Sequence, residues 1–477
     1  MIKLAPLFYT LPIALALAAC GTVGPDYRVP PQAAVQRPAA QQSFAEAAAG
    51  PYAQDEAPAH WWRLYSDPVL DGLVEQAFAA NTDLRVAQAN LARAEAVAEE
   101  VGAQQRPSAS VGASPTFGHA SGVQALAPAA RPRDRWSYGA TAAVSYQVDL
   151  FGQIARAIES ARADADSARA AYDATRVTVA AATARAYAGL CTAGMELGSA
   201  RHSMEVQQES LDAVERLLAA GRGTRLDATR ARAQLEQLRA ALPPRAARRR
   251  AALYQLAALT GRAPAELPTG LADCATPPTL TQPIPVGDGA ALLRRRPDIR
   301  QAERALAAAT ARIGVATGDL YPKITLGLNA GSAGPAAIFG ERGTYSWSLG
   351  PLISWTIPDT GAVQARIAQA EAGSQAALAR FDASVLDALR ETETALSAYA
   401  RQLDREAALE AARAQSAEAA AQAERMYRAG RSDYLSVLDA QRTLAGAEQA
   451  LAASRAELAD DQIAVFLALG GGWERDQ

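Results

Sequence analysis

Apolar positions along the chain change period twice, and then the whole pattern repeats. Leu70, Leu73, Val74, Ala77, Leu84, Ala87, Leu91, Ala94 and Val101 recur at three- and four-residue steps, the spacing of one helix face. This predicts a helix from about Asp67 to Gln105, stopped at Pro107. Over Ser137 to Val148 the period falls to two. Tyr138, Ala140, Ala142, Val144, Tyr146 and Val148 alternate with Ser137, Gly139, Thr141, Ala143, Ser145 and Gln147, which is strand patterning. Gly152 to Ala220 then runs 69 residues without a proline. A helix of that size is on the order of 100 Å long. Ordinary globular helices are several times shorter, so it belongs to a rod or coiled-coil assembly.

A second copy follows. Asn81-Thr82-Asp83-Leu84-Arg85 aligns with Arg296-Pro297-Asp298-Ile299-Arg300, 215 positions on, and Pro107 aligns with Pro322 at the same offset. Gly152 with Gly361, Gly221 with Gly430, Leu226 with Leu435 and Gly261 with Gly470 all stand 209 apart, because one connection is longer in the first copy. Register held over such a length marks a duplication. Each copy reads helix, strand, loop, strand, very long helix, break, helix. The breaks Ala220-Gly221-Arg222-Gly223 and Ala429-Gly430-Arg431-Ser432 are glycine-terminated tips that turn one helix back along another. Pro243-Pro244 stands in the first return helix where the second has Ala452-Ala453, so a kink or break is expected in the first copy alone.

The second-copy strand sets Trp347, Leu349, Pro351, Ile353, Trp355 and Ile357 against Ser346, Ser348, Gly350, Leu352, Ser354 and Thr356. Companion strands are read at Lys323 to Ala330, with Ile324, Leu326 and Leu328 on one face, and at Ser108 to Pro115. An apolar face with aromatics near both ends is the pattern of a transmembrane β-barrel strand. Tyr138 to Tyr146 covers roughly 26 Å at 3.3 Å per residue, close to an apolar band of about 25 Å. A small sheet in a soluble core shows the same alternation. The exported start of the chain, and the lack of elements to cover that face, favour a membrane wall. Four strands cannot close a barrel, which takes about eight, so other copies must pair the open edges. Pattern alone does not choose between two chains and three.

Composition removes other classes. The 47 basic and 50 acidic residues leave a net charge of −3, without the basic excess of a nucleic-acid protein. Alanine is about a quarter of the chain, which suits long, closely approaching helices. Three histidines and three cysteines exclude a metal site rich in either. With no G-x-S-x-G and no P-loop lysine, the chain is not read as an enzyme.

Lys3 precedes an apolar run from Leu4 to Ala19 that is too short to span a bilayer, as in a secretory signal peptide. It ends Leu17-Ala18-Ala19-Cys20-Gly21, which resembles the lipobox of bacterial lipoproteins. That likeness implies cleavage before Cys20, an N-acyl and an S-diacylglycerol group on it, and, with Gly21 in place of aspartate, delivery to the outer membrane. No later apolar stretch is long enough for a transmembrane helix. Export permits a disulfide between Cys191 and Cys274, though their spacing does not decide whether they pair.

Trp61-Trp62 before Asp67-Pro68-Val69-Leu70, the joint Val148-Asp149-Leu150-Phe151-Gly152, Arg294-Arg295-Arg296-Pro297-Asp298-Ile299, Tyr434 to Arg442, and Leu467-Ala468-Leu469-Gly470-Gly471-Gly472-Trp473 cover nearly the whole mature chain. In order and duplicated, they resemble the TolC-like outer-membrane channels of tripartite efflux and secretion systems, in the OprM-like, NodT-type lipoprotein branch. The resemblance implies a mainly α fold with a small β part. Three chains would build an α-helical barrel of long coiled-coil hairpins joined to a 12-stranded transmembrane β-barrel, four strands per chain. It implies a passive exit duct for small molecules, with a periplasmic adaptor and an inner-membrane pump of RND type as partners. Outer-membrane lipid surrounds it, and no nucleic acid, metal or cofactor is needed beyond the lipid on Cys20. A periplasmic gate carries over to Asp439, Arg442, Leu435 and Tyr427, with Arg442 able to pair with a carboxylate. Adaptor docking carries over to Gly221, Gly223 and Gly430. Asp227 and Arg230 share the Asp439 and Arg442 spacing but are shifted by three residues, so they are read as surface or tip contacts. The expected segments are a signal peptide (1–19), a lipidated extended segment (20–66), the first repeat (67–261), an equatorial linker (262–289), the second repeat (290–470) and a tail (471–477). A protein-secretion channel and a non-channel helical lipoprotein, structural or adaptor-like, are the alternatives.

Overall fold

A computed structural model describes residues 21–48, 50–119, 121, 133–356 and 360–474. The signal peptide, Cys20, Ile357 and the last three residues lie outside them. In chain order the helices are α1 (Pro68–Ala80), α2 (Thr82–Ala103), α3 (Gln153–Ala219), α4 (Arg225–Ala240), α5 (Leu242–Leu259), α6 (Gly289–Arg295), α7 (Pro297–Gly318), α8 (Thr360–Arg428) and α9 (Tyr434–Ala468). The strands of the main sheet are β1 (Ser108–Gly118), β2 (Arg135–Val148), β3 (Lys323–Pro335) and β4 (Tyr345–Ser354). The chain forms two compact units, each drawing matching pieces from both copies. One holds residues up to Val29, Ala92–Ser167 and Ala302–Arg380; the other holds Pro30–Leu91, Ala168–Gln301 and Phe381 onward.

In the first unit the four strands lie in the order β1-β2-β3-β4, all antiparallel. The register sets Val144 beside Leu328 and Leu328 beside Leu349, and Val148, Ile324 and Ile353 form a second row. Val111 lies beside Ala142, and Phe117 beside Trp136. Paired residues share a face, so the apolar positions of all four strands make one continuous surface. Among the described residues that surface is bare: Val111 is 87% exposed and Trp347 78%. β1 and β3 run further than their alternation predicts, to Gly118 and Pro335. β4 is shorter, because its ladder ends where Ser354 meets Lys323 at the start of β3. Trp355 instead donates its indole N–H to the Leu320 carbonyl at 3.1 Å.

The strand-to-helix joint of this unit is tightly built. Asp149 accepts from the backbone of Ile154 (3.0 Å) and Ala155 (2.7 Å), satisfying two orphan donors at the start of α3. Gly152 has φ +76°, and a Cβ there would lie 2.4 Å from Thr22 Cγ2, so glycine serves both conformation and contact. The nearly buried Arg156 donates to the Val23 carbonyl (3.0 Å), Asp26 (2.6 Å) and Glu159 (2.7 Å). Thr22 to Asp26 are thereby pinned where β2 hands over to α3.

In the second unit the single helix expected from Asp67 to Gln105 is broken at Asn81. The apolar stripe continues across the break, which is why periodicity misses it, but the cap chemistry is local. Asn81 is extended and buried; its Oδ1 accepts from Asp83 and Leu84 N, and its Nδ2 donates to the Leu259 carbonyl. The second copy breaks at the aligned Arg296, between α6 and α7. The first return helix divides at Ala241, and Leu242-Pro243-Pro244 opens α5, where a missing N–H costs nothing. Its counterpart α9 runs 35 residues unbroken. Cys191 of α3 and Cys274 form a disulfide with Cα atoms 4.7 Å apart. No helix among the described residues is long and apolar enough to cross a membrane.

Candidate functional site at the helical tips

Both tips, which belong to the second unit, close with the same bonds. Arg222 N donates to Leu217 O (2.8 Å) and Gly221 N to Leu218 O (3.0 Å); in the second copy Arg431 N donates to Met426 O and Gly430 N to Tyr427 O, both at 2.9 Å. These are Schellman closures, and they require the left-handed backbone found at Gly221 (φ +71°) and Gly430 (φ +69°). Gly223 has another reason: a Cβ there would stand 3.0 Å from Leu218 N. Thr224 then caps α4 by accepting from Asp227 N at 3.1 Å, and Asp433 caps α9 by accepting from Ser436 N at 3.0 Å and its hydroxyl at 2.6 Å.

Behind the tips a small apolar core joins four helices. Leu211 and Val214 of α3, Ala228, Ala231 and Leu235 of α4, and Tyr434, Val437 and Leu438 of α9 pack together, with Tyr427 of α8 against them. Of the expected gate residues, Tyr427 is half-buried, its ring 5.7 Å from that of Tyr434. Leu435 is 44% exposed. Asp439 is exposed and no ion pair joins it to Arg442. Arg442 was expected to seek a carboxylate; its Nε donates instead to Gln234 Oε1 of α4 at 2.7 Å.

The electrostatics draw in Asp227 and Arg230, which the sequence places outside the gate as surface or tip contacts. The Ser436 hydroxyl and amide hold the Asp433 carboxyl below its ordinary range, and Arg230 adds to this. Burial raises the Tyr427 phenol, and Asp227 raises it further. Asp227 and Arg230 therefore face the second-copy tip across the helix layer. Their matched spacing was visible, whereas their facing partners depend on how the helices pack. Gln234 gave no signal beyond lying in phase with Ala231 and Leu235. Among the described residues no cluster of His, Cys, Asp and Glu could hold a metal ion.

A profile of the outer membrane efflux protein family matches residues 73–262 and 290–471, once in each copy. The chain belongs to this family. It is 30% identical to Nodulation protein T of Rhizobium leguminosarum bv. viciae over 96% of this chain and 92% of that protein. It is 31% identical to the pyoverdine export outer membrane protein OpmQ of Pseudomonas putida over 98% and 97%. The solved outer-membrane channel OprN superposes with a TM-score of 0.87 at 37% identity, covering 95% of this chain and 100% of that one. The fold is that of the TolC-family channels, mainly helical, duplicated, with four strands per chain. The protein is an outer membrane efflux channel, and the reading as a helical rod without a pore is set aside by this membership.

Proposed function

We propose that three copies of this chain close a twelve-stranded barrel in the outer membrane and form the passive exit duct of a tripartite efflux pump for small molecules. One observation carries the reading: a four-stranded sheet with one continuous apolar face and, among the described residues, both edge strands, β1 and β4, unpaired on their outer sides. Lipid covers such a face, and strands of neighbouring copies cover such edges. The export of pyoverdine by the relative OpmQ supports a small molecule over a protein as cargo. An inner-membrane pump, of RND type, supplies the energy, and a periplasmic adaptor docks at the tips around Gly221, Gly223 and Gly430. Cys20 carries the N-acyl and S-diacylglycerol anchor; supporting this, Val23, three residues on, is fastened to the joint at the end of β2. No cofactor or catalytic step is involved.

In this reading the duct is gated by Asp439, Arg442, Leu435 and Tyr427. Three Asp439 carboxylates around a threefold axis make a focused negative ring that favours cations, with Leu435 as the apolar constriction. The test is single-channel conductance of the lipidated protein in a planar bilayer, wild type beside Asp439→Ala and Arg442→Ala. Small or rare wild-type openings that grow in the variants are expected. An inserted trimer that conducts in no variant would overturn the gate.

A further inference from the structure

We infer that Gln234 is the latch of this gate: it holds Arg442 in the closed position, and its lack of charge is what lets the arginine leave. The inference rests on the reading of Asp439 and Arg442 as the gate, and concerns what controls it.

Arg442 lies on α9 of the second copy and Gln234 on α4 of the first, so the 2.7 Å bond between them ties the two copies together close to the tip. Gln234 is 8% exposed. It belongs to a polar joint set inside the apolar packing. Gln207 of α3, 3% exposed, donates its amide to the Ala231 carbonyl at 3.2 Å, one turn before Gln234. Gln441, next to Arg442, keeps a buried amide oxygen without a hydrogen-bond partner. These three glutamines, one from each helix, line a cavity of about 50 Å³ with Ser203 and Glu448. Apolar residues would pack this position without difficulty; amides here specify which groups meet, as buried polar residues do in helical assemblies.

The choice of amide over carboxylate has a mechanical meaning. A glutamate at 234 would form a charge-assisted pair with Arg442, and opening would strand a buried negative charge. A glutamine gives up the arginine and leaves only a neutral amide, a smaller penalty. Arg442 is held by Gln234 rather than by Asp439 three residues before it, so in this proposal the guanidinium does not pair with the Asp439 ring while the latch is made. Once released, Arg442 can turn toward a carboxylate and neutralise part of that ring.

The test is open probability in planar bilayers for purified full-length trimers carrying Gln234→Glu, Gln234→Leu, Arg442→Ala and the pair Gln234→Glu with Arg442→Ala. Recovery as a heat-modifiable trimer checks folding, and Gln234→Glu preserves shape. Gln234→Glu should lower open probability several-fold, less so at high salt, where an ion pair is screened. Gln234→Leu should raise it toward the Arg442→Ala level. The double variant should behave as Arg442→Ala alone. Gln234 variants that open like wild type, while Arg442→Ala opens more, would remove the latch and leave the gate standing. A Gln234→Glu effect that persists without Arg442 would show that position 234 acts through helix packing, again removing the latch. No change in Arg442→Ala or Asp439→Ala would remove the gate itself and the latch with it.

Discussion

Arg296 sits where the second copy has an arginine in place of Asn81. Its guanidinium donates to Asp298 at 2.6 and 3.0 Å, to Glu391 at 2.9 Å and to the Ala468 carbonyl at 2.9 Å. Burial alone would lower its pKa; the bonds to Asp298, and then Glu391, more than reverse this and hold the charge. Next to it, Arg295 donates to the Pro58 carbonyl and pairs with Glu474. The Trp473 indole N–H donates to the Arg295 carbonyl, and Arg300 lies over the same indole at 4.4 Å. Gly470, with φ +69°, would put a Cβ 2.7 Å from Arg296 Cγ. Two motifs far apart in sequence thus form one clasp. Arg296→Met should destabilise the protein by about 2–3 kcal/mol in denaturant unfolding of the detergent-solubilised trimer, less than for a fully buried pair because Asp298 and Glu391 remain 41% and 44% exposed. The motif was legible as residues. Its job was not, because Glu391 and Ala468 lie 95 and 172 positions away, and only the fold brings them in.

Among the elements, the two long helices were legible almost to the residue, and the strands were legible in face rather than extent, because a period of two fixes which residues share a side. What alternation cannot supply is register, which here aligns four separate apolar stripes into one wall. The pairing makes a direct prediction. Val144→Arg, in the row with Leu328, should cost about 2–4 kcal/mol where the row meets the middle of the bilayer, while Ser145→Arg on the opposite face should cost little. The check is the yield of heat-modifiable trimer in the outer-membrane fraction, reduced for the first and near wild type for the second. Equal yields would contradict the assignment of faces. Helix breaks divide in the same manner. Pro243-Pro244 announces the one at Ala241, since the chemistry is written in the residue itself. The break at Asn81 is hidden because an asparagine cap interrupts the backbone without interrupting the apolar stripe.

At the scale of the whole chain the duplication is equal in pattern and unequal in fastening. The Cys191–Cys274 bond closes a loop of 83 residues that contains the first tip and its divided return helix. The second copy has Ala400 at the position aligned with Cys191 and a single uninterrupted α9. Replacing both cysteines by serine should lower stability by about 2–5 kcal/mol, read from the denaturant midpoint under non-reducing conditions; reductant should lower the wild-type midpoint toward that of the variant and leave the variant's unchanged. Sequence could say that a disulfide was chemically permitted. The pairing itself needed the close approach of α3 to the inter-copy segment at Gly194, where a Cβ would lie 2.1 Å from the Cys274 carbonyl oxygen.

The two unpaired strand edges have a genetic meaning. In a closed ring of copies, β1 of one chain completes the wall only through β4 of the next, so a defect in either edge is shared with a healthy neighbour. When mutant and normal chains are made together, edge lesions should be dominant, because one faulty member spoils every ring it joins. A lesion around Arg296 that stops a chain from folding keeps that chain out of the rings altogether and should be recessive. Whether a mutation harms only its own chain or its companions as well would then depend on where in the sheet or helices it falls.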